Sequence, residues 1–495
     1  MRPRRPRRAV RGPRPLRRRP RRQVRRRTAA LGTRRRHPLL TGHDQKAHGM
    51  SSTATKRTGA SSAPRTLTSS TIGSVIEWYD FTIYGTAAAL IFNRLFFSDV
   101  SPTAGTLAAF GTFAAGFIAR PLGGFVAGHY GDRLGRKAML VTTLLLMGAA
   151  TTLIGLLPTY GQVGVIAPVL LVVLRLVQGF AVGGEWGGAV LMAVEHAPDD
   201  KRGRYGAWPQ TGVSAGLLLG TGVFSRVSAL PEPQLLAWGW RVPFLLSIVL
   251  AVVGLYIRFR ISEPESFAAA TAAEGPARRP LVEVLRTHPK QILIAVGVRF
   301  AEGGNYYVFT VFILSYLTQQ LGLPRQAGLT GVMLAAALNI VALPLWGALS
   351  DRVGRRPVFI GGALFMAAYA WPFFLLVDTR SPALVALALA VALAVPHGAV
   401  FAPIAAFYTE LFEPRVRYSG VSIGYQIGSV LLGGFTPLLA TSLIMSTGGA
   451  SWSVAALVAA GALVAAASMF AAPETFRRSL HAGREPESAV QKTAV

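Results

Sequence analysis

Apolar runs of about 20 residues or more, separated by short polar connections, recur along most of the chain. Each is long enough to cross a hydrocarbon core roughly 30 Å thick as a helix rising about 1.5 Å per residue. The pattern predicts twelve such helices, at 73–96, 104–128, 138–158, 164–194, 205–227, 238–260, 291–318, 327–349, 357–377, 382–409, 417–443 and 451–472.

The polar connections repeat. Gly128-His-Tyr-Gly131-Asp132-Arg133-Leu-Gly135-Arg136-Lys137 follows the second run, and Gly347-Ala-Leu-Ser350-Asp351-Arg352-Val-Gly354-Arg355-Arg356 follows the eighth, an offset of 219 residues. A weaker echo relates Glu195–Tyr205 to Glu410–Tyr418. Repetition after six spans implies two parallel halves about an axis along the membrane normal. The expected fold is all-α: a polytopic membrane protein of twelve transmembrane helices in two pseudo-symmetric six-helix bundles. Its expected parts are a disordered basic and Ser/Thr-rich segment at 1–68, one half at 69–260, a cytosolic linker at 261–290, the other half at 291–472 and a cytosolic tail at 473–495.

Charge orients the plan. The connections on one side, with the lead from Lys56 and the tail from Arg477, hold 24 Lys and Arg, whereas the other side holds five: Arg94, Arg226, Arg241, Arg325 and Arg380. Positive loops stay inside, so both termini are expected in the cytosol of a multi-pass plasma (inner) membrane protein.

A composition of 51% hydrophobic and 15% charged residues excludes an ordinary soluble domain. The net charge of +29 suggests nucleic acid until it is divided along the chain: residues 1–49 carry +18 of it. No apolar segment follows these arginines, so they do not read as a secretory signal. The expectation is that they precede the true start at Met50, with a lipid-binding arm as the alternative and no nucleic-acid partner. The absence of cysteine removes disulfides, thiolate metal sites and a cysteine nucleophile. Nor is there a phosphate loop, an HExxH pair or a nucleophile elbow, so no enzyme is expected.

The Gly-x3-Asp-Arg-x-Gly-Arg-Lys loop and its echo resemble the major facilitator superfamily. Glu77-Trp78-Tyr79-Asp80-Phe81, Arg120-Pro121-Leu-Gly-Gly, Arg175-x-x-Gln178-Gly179, Gly184-Glu185-Trp186-Gly-Gly and Gly239-Trp240-Arg241 resemble its metabolite:proton symporter family. The resemblance implies a secondary active transporter importing a small polar metabolite with protons, with no cofactor and H+ as the coupling ion. Asn93-Arg-Leu-Phe-Phe, Arg417-Tyr418-Ser419-Gly420 and Gly433-Gly-Phe-Thr-Pro437 resemble the shikimate branch. Proton-coupled uptake of osmolytes such as proline and glycine betaine is the alternative, and a non-transporting solute sensor a remote one. The expected partners are solute, protons and the lipid bilayer, and the expected state is a monomer.

A charge within a span normally faces a partner or a watery cavity. Glu77 and Asp80 share a face of the first span, as Arg299 and Glu302 do on the seventh, and the repeat offset superposes Asp80 on Arg299. Both pairs are therefore expected at the central cavity, where Asp80 or Glu77 takes the coupling proton or else holds helices together as part of an ion pair. Arg175, by resemblance, and Glu185 join the coupling candidates. Arg175, Gln178, Val182 and Glu185 form a polar stripe, while Gly179, Gly183 and Gly187 suggest close helix packing. Solute candidates are Arg299, Glu302, Gln178 and Arg120, the last near a span end where it can snorkel to the headgroups. Trp78, Tyr79, Tyr306 and Tyr307 either frame the solute, hold a quaternary ammonium, or only pack. In the repeated loops, Gly131 and Gly135 permit a tight turn, Asp132 can bond a helix start, and Arg133 and Arg136 can pair with acids; Asp351, Arg352, Gly354 and Arg355 are their counterparts in a cytosolic gate. His397 can titrate or simply be hydrogen bonded. No metal ligand set is expected.

Overall fold

The computed structural model describes residues 63–126, 136–183, 185–195, 197–259, 280–413, 416–476, 478 and 480. Met1–Lys56 form a separate unit, which lies outside the described residues, as do residues 57–62 and most of the 261–290 linker.

Twelve helical rods account for the apolar runs: α1 (Ala63–Leu90), α2 (Pro102–Val126), α3 (Arg136–Leu156), α4 (Ile166–Val182), α5 (Arg202–Ser228), α6 (Glu232–Tyr256), α7 (289–320), α8 (Arg325–Val353), α9 (Arg355–Asp378), α10 (Pro382–Leu411), α11 (Arg417–Ser446) and α12 (Trp452–Phe470). Among the described residues, seven of them (α2, α6 and α8–α12) are long and apolar enough to cross a membrane by length and composition. The helices α1, α5 and α7 owe their lower hydropathy to buried polar side chains, among them Asp80, Gln210, Ser214 and Glu302. Outer helices instead expose large apolar residues such as Leu375 (71%) and Phe470 (72%), a surface that suits lipid and not water.

Small residues set the close contacts. A Cβ on Gly179 would lie 1.7 Å from the carbonyl oxygen of Gly116, so α2 and α4 meet backbone to backbone. Along α5, Gly212, Gly216 and Gly220 recur every fourth residue and admit the α1 backbone in the same way. The α8–α9 loop with its repeated motif lies at the same end of the bundle as the start of α5, the motif end. There Gly354 joins α8 to α9 at φ 113°, a left-handed conformation that glycine adopts without the clash a Cβ brings.

Both halves depart from a plain α-helical period, the first by one π-helical turn in α6 (Leu235–Gly239) and the second by more. Three π-helical turns interrupt α7 (Phe300–Gly304, Val308–Phe312 and Tyr316–Gln320), one interrupts α10 (Leu393–His397) and one α11 (Ser429–Gly434). Such turns often mark functional sites. Here they contain the buried Glu302, His397 and Ser429. Two further elements were not anticipated from the pattern: a helix at Pro280–Thr287 within the expected linker, and an ordered stretch after α12 whose Thr475 and Leu480 are buried.

Candidate transport site and gate

At the centre of the bundle, α1 presents Trp78, Phe81, Thr82 and Thr86 to α7, which contributes Tyr306, Tyr307 and Thr310. The cavity between them is about 10 Å³, room for roughly one water. The centre is therefore closed around its own side chains. Trp78 meets Tyr306 edge-on at 5.6 Å and stacks with Tyr307 at 6.4 Å between ring centroids.

Asp80 does not face this cavity. Its carboxylate turns into the first half, where Ser247 Oγ of α6 donates to Oδ1 (2.6 Å) and Thr151 Oγ1 of α3 donates to Oδ2 (2.9 Å). Gln178 Nε2 in turn donates to Thr151 Oγ1 (2.7 Å), and Arg175 Nη1 donates to Gln178 Oε1 (2.5 Å). A buried relay thus runs Asp80–Thr151–Gln178–Arg175 across three helices. Tyr79 also leaves the expected solute frame: its hydroxyl donates to the Pro243 carbonyl (2.8 Å) on α6. Packing of α1 against α3 and α6 turns both residues away from the cavity.

Arg120 corrects a second expectation. It does not snorkel; it is 2% exposed, with its guanidinium 4.1 Å from the Phe81 ring and 4.2 Å from Phe117. Arg175 lies on the same ring, 4.5 Å from Phe81, and also over Tyr84 at 4.1 Å. Two buried guanidinium groups therefore share Phe81, a cavity wall. Among the described residues neither forms an ion pair with an acid, and Nε and Nη2 of each lack a hydrogen-bond partner. Glu77 is buried on the same helix and within electrostatic reach of Tyr307 and Tyr425.

In the second half, Arg299 pairs with Glu302 one turn along α7, donates to Ser429 Oγ (2.9 Å) and stacks over Tyr425 at 4.0 Å. Its guanidinium is thus paired with an acid within the protein, whereas among the described residues those of Arg120 and Arg175 are not. The α4 helix ends at Val182 and a separate helix follows at Glu185–Glu195, so the expected stripe is interrupted before Glu185, whose side chain lies outside the described residues.

The motif end is closed by buried charge. Asp351 accepts from the backbone N–H groups of Gly203 (2.7 Å) and Arg204 (2.8 Å), at the start of α5 in the other half. A carboxylate there meets unsatisfied donors and the positive end of the helix dipole. Arg355 donates to Asp351 (2.7 Å) and to both oxygens of Glu410 (3.2 and 3.3 Å). The segment after α12 joins this network: Glu474 accepts from the N–H groups of Arg355 (3.1 Å) and Arg356 (3.0 Å), and Thr475 donates to Glu410 (2.7 Å). Arg417 reaches Glu195 of the first half at 3.1 Å. Arg352 is exposed on the outer side of α8 and makes no ion pair among the described residues, so it is not part of the latch. Gly131, Asp132, Arg133 and Gly135, with the side chain of Arg136, lie outside the described residues.

The opposite end is held more loosely. Glu232 pairs with Arg94 and with Arg325 (3.4 Å), all three at least partly exposed, beside a vestibule of about 440 Å³.

A family model described as Major Facilitator Superfamily matches residues 70–423 and again 295–493. The chain belongs to the major facilitator superfamily. Its relatives in that superfamily include the shikimate transporter of Escherichia coli (strain K12), 45% identical over 404 residues that cover 81% of this chain and 92% of that protein. The proline/betaine transporter of Salmonella typhimurium (strain LT2) is 34% identical over 393 residues, 77% of this chain and 78% of that one. Among solved structures, the proton:xylose symporter XylE bound to 6-bromo-6-deoxy-D-glucose superposes with a TM-score of 0.67 at 19% identity, covering 85% of this chain and 98% of the other. This major facilitator protein is accordingly a multi-pass membrane transporter and not an enzyme.

Sequence reasoning missed Phe81, Phe117, Thr151 and Ser247 as site residues, and Glu410 and Glu474 as gate residues. The small hydroxyl residues of apolar spans and two acids beside predicted span ends were the signals at hand.

Proposed function

We propose that this transporter is a proton symporter that imports a small organic solute bearing a carboxylate across the plasma (inner) membrane, with its motif end and both termini in the cytosol. The observation that carries the reading is the pair of buried guanidinium groups, Arg120 and Arg175, both against the Phe81 ring without an acid to pair with among the described residues. Buried charge is normally paired. A solute carboxylate supplies the missing anion, and the planar fork of arginine suits it.

The relay supplies a route for coupling. An ionised Asp80 accepts from Thr151 and Ser247. When Asp80 takes a proton on Oδ2 it becomes the donor to Thr151, whose hydroxyl hydrogen turns to the Met147 carbonyl (2.9 Å) and whose oxygen is then shared between Asp80 and Gln178. That change at one end of the relay weakens the hold on Gln178 and so on Arg175, which engages the solute. The proton gradient supplies the driving force, about 2.3 kcal/mol per charge per 100 mV. The Asp351–Arg355–Glu410 latch holds the cytosolic side shut, so opening it alternates access between the halves.

The relatives' names favour a shikimate-like acid. The ring trio Trp78, Tyr306 and Tyr307 favours a second reading, since a methylated ammonium binds aromatic faces and proline or glycine betaine also carries a carboxylate.

The test is uptake of labelled shikimate, oxoglutarate, proline and glycine betaine into proteoliposomes, with and without an inward proton gradient. Gradient-driven accumulation of one of them is expected, and Asp80→Asn should abolish accumulation while preserving solute exchange. Folded protein that accumulates none of the four would move the reading toward a solute sensor.

A further inference from the structure

Beyond the arginine pair, a second set of buried polar atoms stands without partners on the opposite wall of the site. Tyr306 Oη, both ring nitrogens of His397 and Asn339 Oδ1 have no hydrogen-bond partner among the described residues. All three residues are more than nine-tenths buried, at 4%, 1% and 1% exposure. They come from three helices, α7, α10 and α8, and lie together. The Tyr306 and His397 rings are 5.1 Å apart, and Asn339 Oδ1 would be 3.3 Å from a Cβ on Gly398, the residue after His397. Asn339 donates its amide nitrogen to Ser214 Oγ (3.0 Å), which leaves its carbonyl oxygen unengaged. Tyr306 lines the central cavity.

Buried polar atoms are almost always satisfied, so a cluster of unsatisfied ones in a native protein calls for a ligand. The chemistry of the set narrows which ligand. A tyrosine hydroxyl donates and accepts, a neutral imidazole donates through one nitrogen and accepts through the other, and an amide oxygen only accepts. A carboxylate accepts only, and would face the amide oxygen and the bare imidazole nitrogen across an unfavourable contact. A trimethylammonium group neither donates nor accepts. Hydroxyl groups do both, and two or three of them satisfy the whole set.

We propose that Tyr306, His397 and Asn339 form a hydroxyl-binding subsite, so that the transported solute is a polyhydroxylated carboxylate, its acid toward Arg120 and Arg175 and its hydroxyls toward α7, α8 and α10. The inference rests on the carboxylate reading above. The walls fit it: Phe81, which both guanidinium groups contact, lies 6.4 Å from Trp78, and Trp78 lies 5.6 Å from Tyr306, so rings connect the two polar ends.

The experiment compares proton-driven uptake of shikimate with that of its deoxy counterpart, cyclohexene-1-carboxylate, in proteoliposomes of the full chain. A site built to bond hydroxyls leaves its own buried groups unpaired with the deoxy acid, so the wild-type preference for shikimate is expected to be at least about 100-fold. Tyr306→Phe and His397→Leu should each lower that preference by about tenfold. Neither should lower the thermal midpoint, because the deleted polar atoms have no hydrogen-bond partner among the described residues. His397→Gln, which restores a donor and an acceptor, should recover part of the preference. Glycine betaine in excess should not compete with shikimate.

A wild-type protein that takes up both acids equally, or a preference unmoved by Tyr306→Phe and His397→Leu, would overturn the subsite and leave the carboxylate reading intact; ordered water would then be what these atoms bind. Full competition by glycine betaine would overturn it as well. Uptake of neither acid would overturn the subsite, and the carboxylate reading would fall with it only if oxoglutarate, proline and glycine betaine also fail to accumulate.

Discussion

Arg175 and Asp80 are coupled through intermediaries and form no direct ion pair: Gln178 and Thr151 stand between them, each hydrogen bonded to the next at 2.5, 2.7 and 2.9 Å. The two charges can therefore sense one another's state without neutralising each other, which leaves the guanidinium free for an outside anion and the carboxylate free for a proton.

Thr151 is the joint of that relay. Thr151→Val keeps its volume but leaves Asp80 with Ser247 alone and removes the acceptor of Gln178. Loss of a buried partner costs about 1–3 kcal/mol, so gradient-driven accumulation should fall by about tenfold or more while solute counterflow at zero gradient persists. Unchanged accumulation in proteoliposomes would remove the relay from coupling.

Asp351 holds the motif end shut through Gly203, Arg204 and Arg355. Asp351→Asn removes the charge from those bonds, and charge-assisted bonds are roughly twice as strong as neutral ones. The population open at the motif end should rise. Because the chain has no cysteine, a single Ala207→Cys, buried where α5 meets Gly347 of α8, can report it. Maleimide labelling of that thiol should increase several-fold in the double variant; equal labelling would show that Asp351 does not bear on the opening.

Glu410 is the deepest member of the latch, accepting from Arg355 and Thr475 and 4.0 Å from Arg202. Glu410→Ala leaves Arg355 buried without that partner, a change expected to cost about 3–5 kcal/mol. A thermal midpoint in detergent lowered by several degrees would bear this out, and an unchanged one would contradict it. Glu474→Ala should have a smaller effect, since it removes two backbone contacts to the start of α9 and no buried ion pair.

The contact of α2 with α4 leaves no room for a methyl group at Gly179, where a Cβ would meet backbone at 1.7 Å. Gly179→Ala should destabilise the fold by at least about 1–3 kcal/mol, because backbone cannot yield as a flexible side chain does. Gly188→Ala, with nothing within 4 Å of its Cβ, serves as the control. Comparable yields of monodisperse protein for the two variants would argue against the packing account.

The residues whose roles were legible before any coordinates are those whose meaning lies in type and spacing. Asp351 and Arg355 stand in a repeated loop, and Gly354 marks its turn. Trp78, Tyr306 and Tyr307 were among the candidates and do meet at the centre. Asp80 and Tyr79 were misplaced because a helical wheel ranks faces without saying which neighbour each face meets. Arg120 was misplaced because nearness to a span end was taken to mean access to headgroups, whereas two phenyl rings enclose it.

The sequence by itself determined the number of spans, the doubling of the chain and the superfamily, because hydropathy over about 20 residues and a repeated loop are local quantities that survive any particular packing. Tertiary structure alone decided which way each polar face turns and what it meets. An inserted residue in a π-helical turn rotates everything after it by about 100° around the helix axis, and α7, α10 and α11 contain five such turns between them. The pairing of Glu410 with Thr475 and of Arg355 with Glu474 joins residues 65 and 119 positions apart, contacts that no periodicity along the chain can announce.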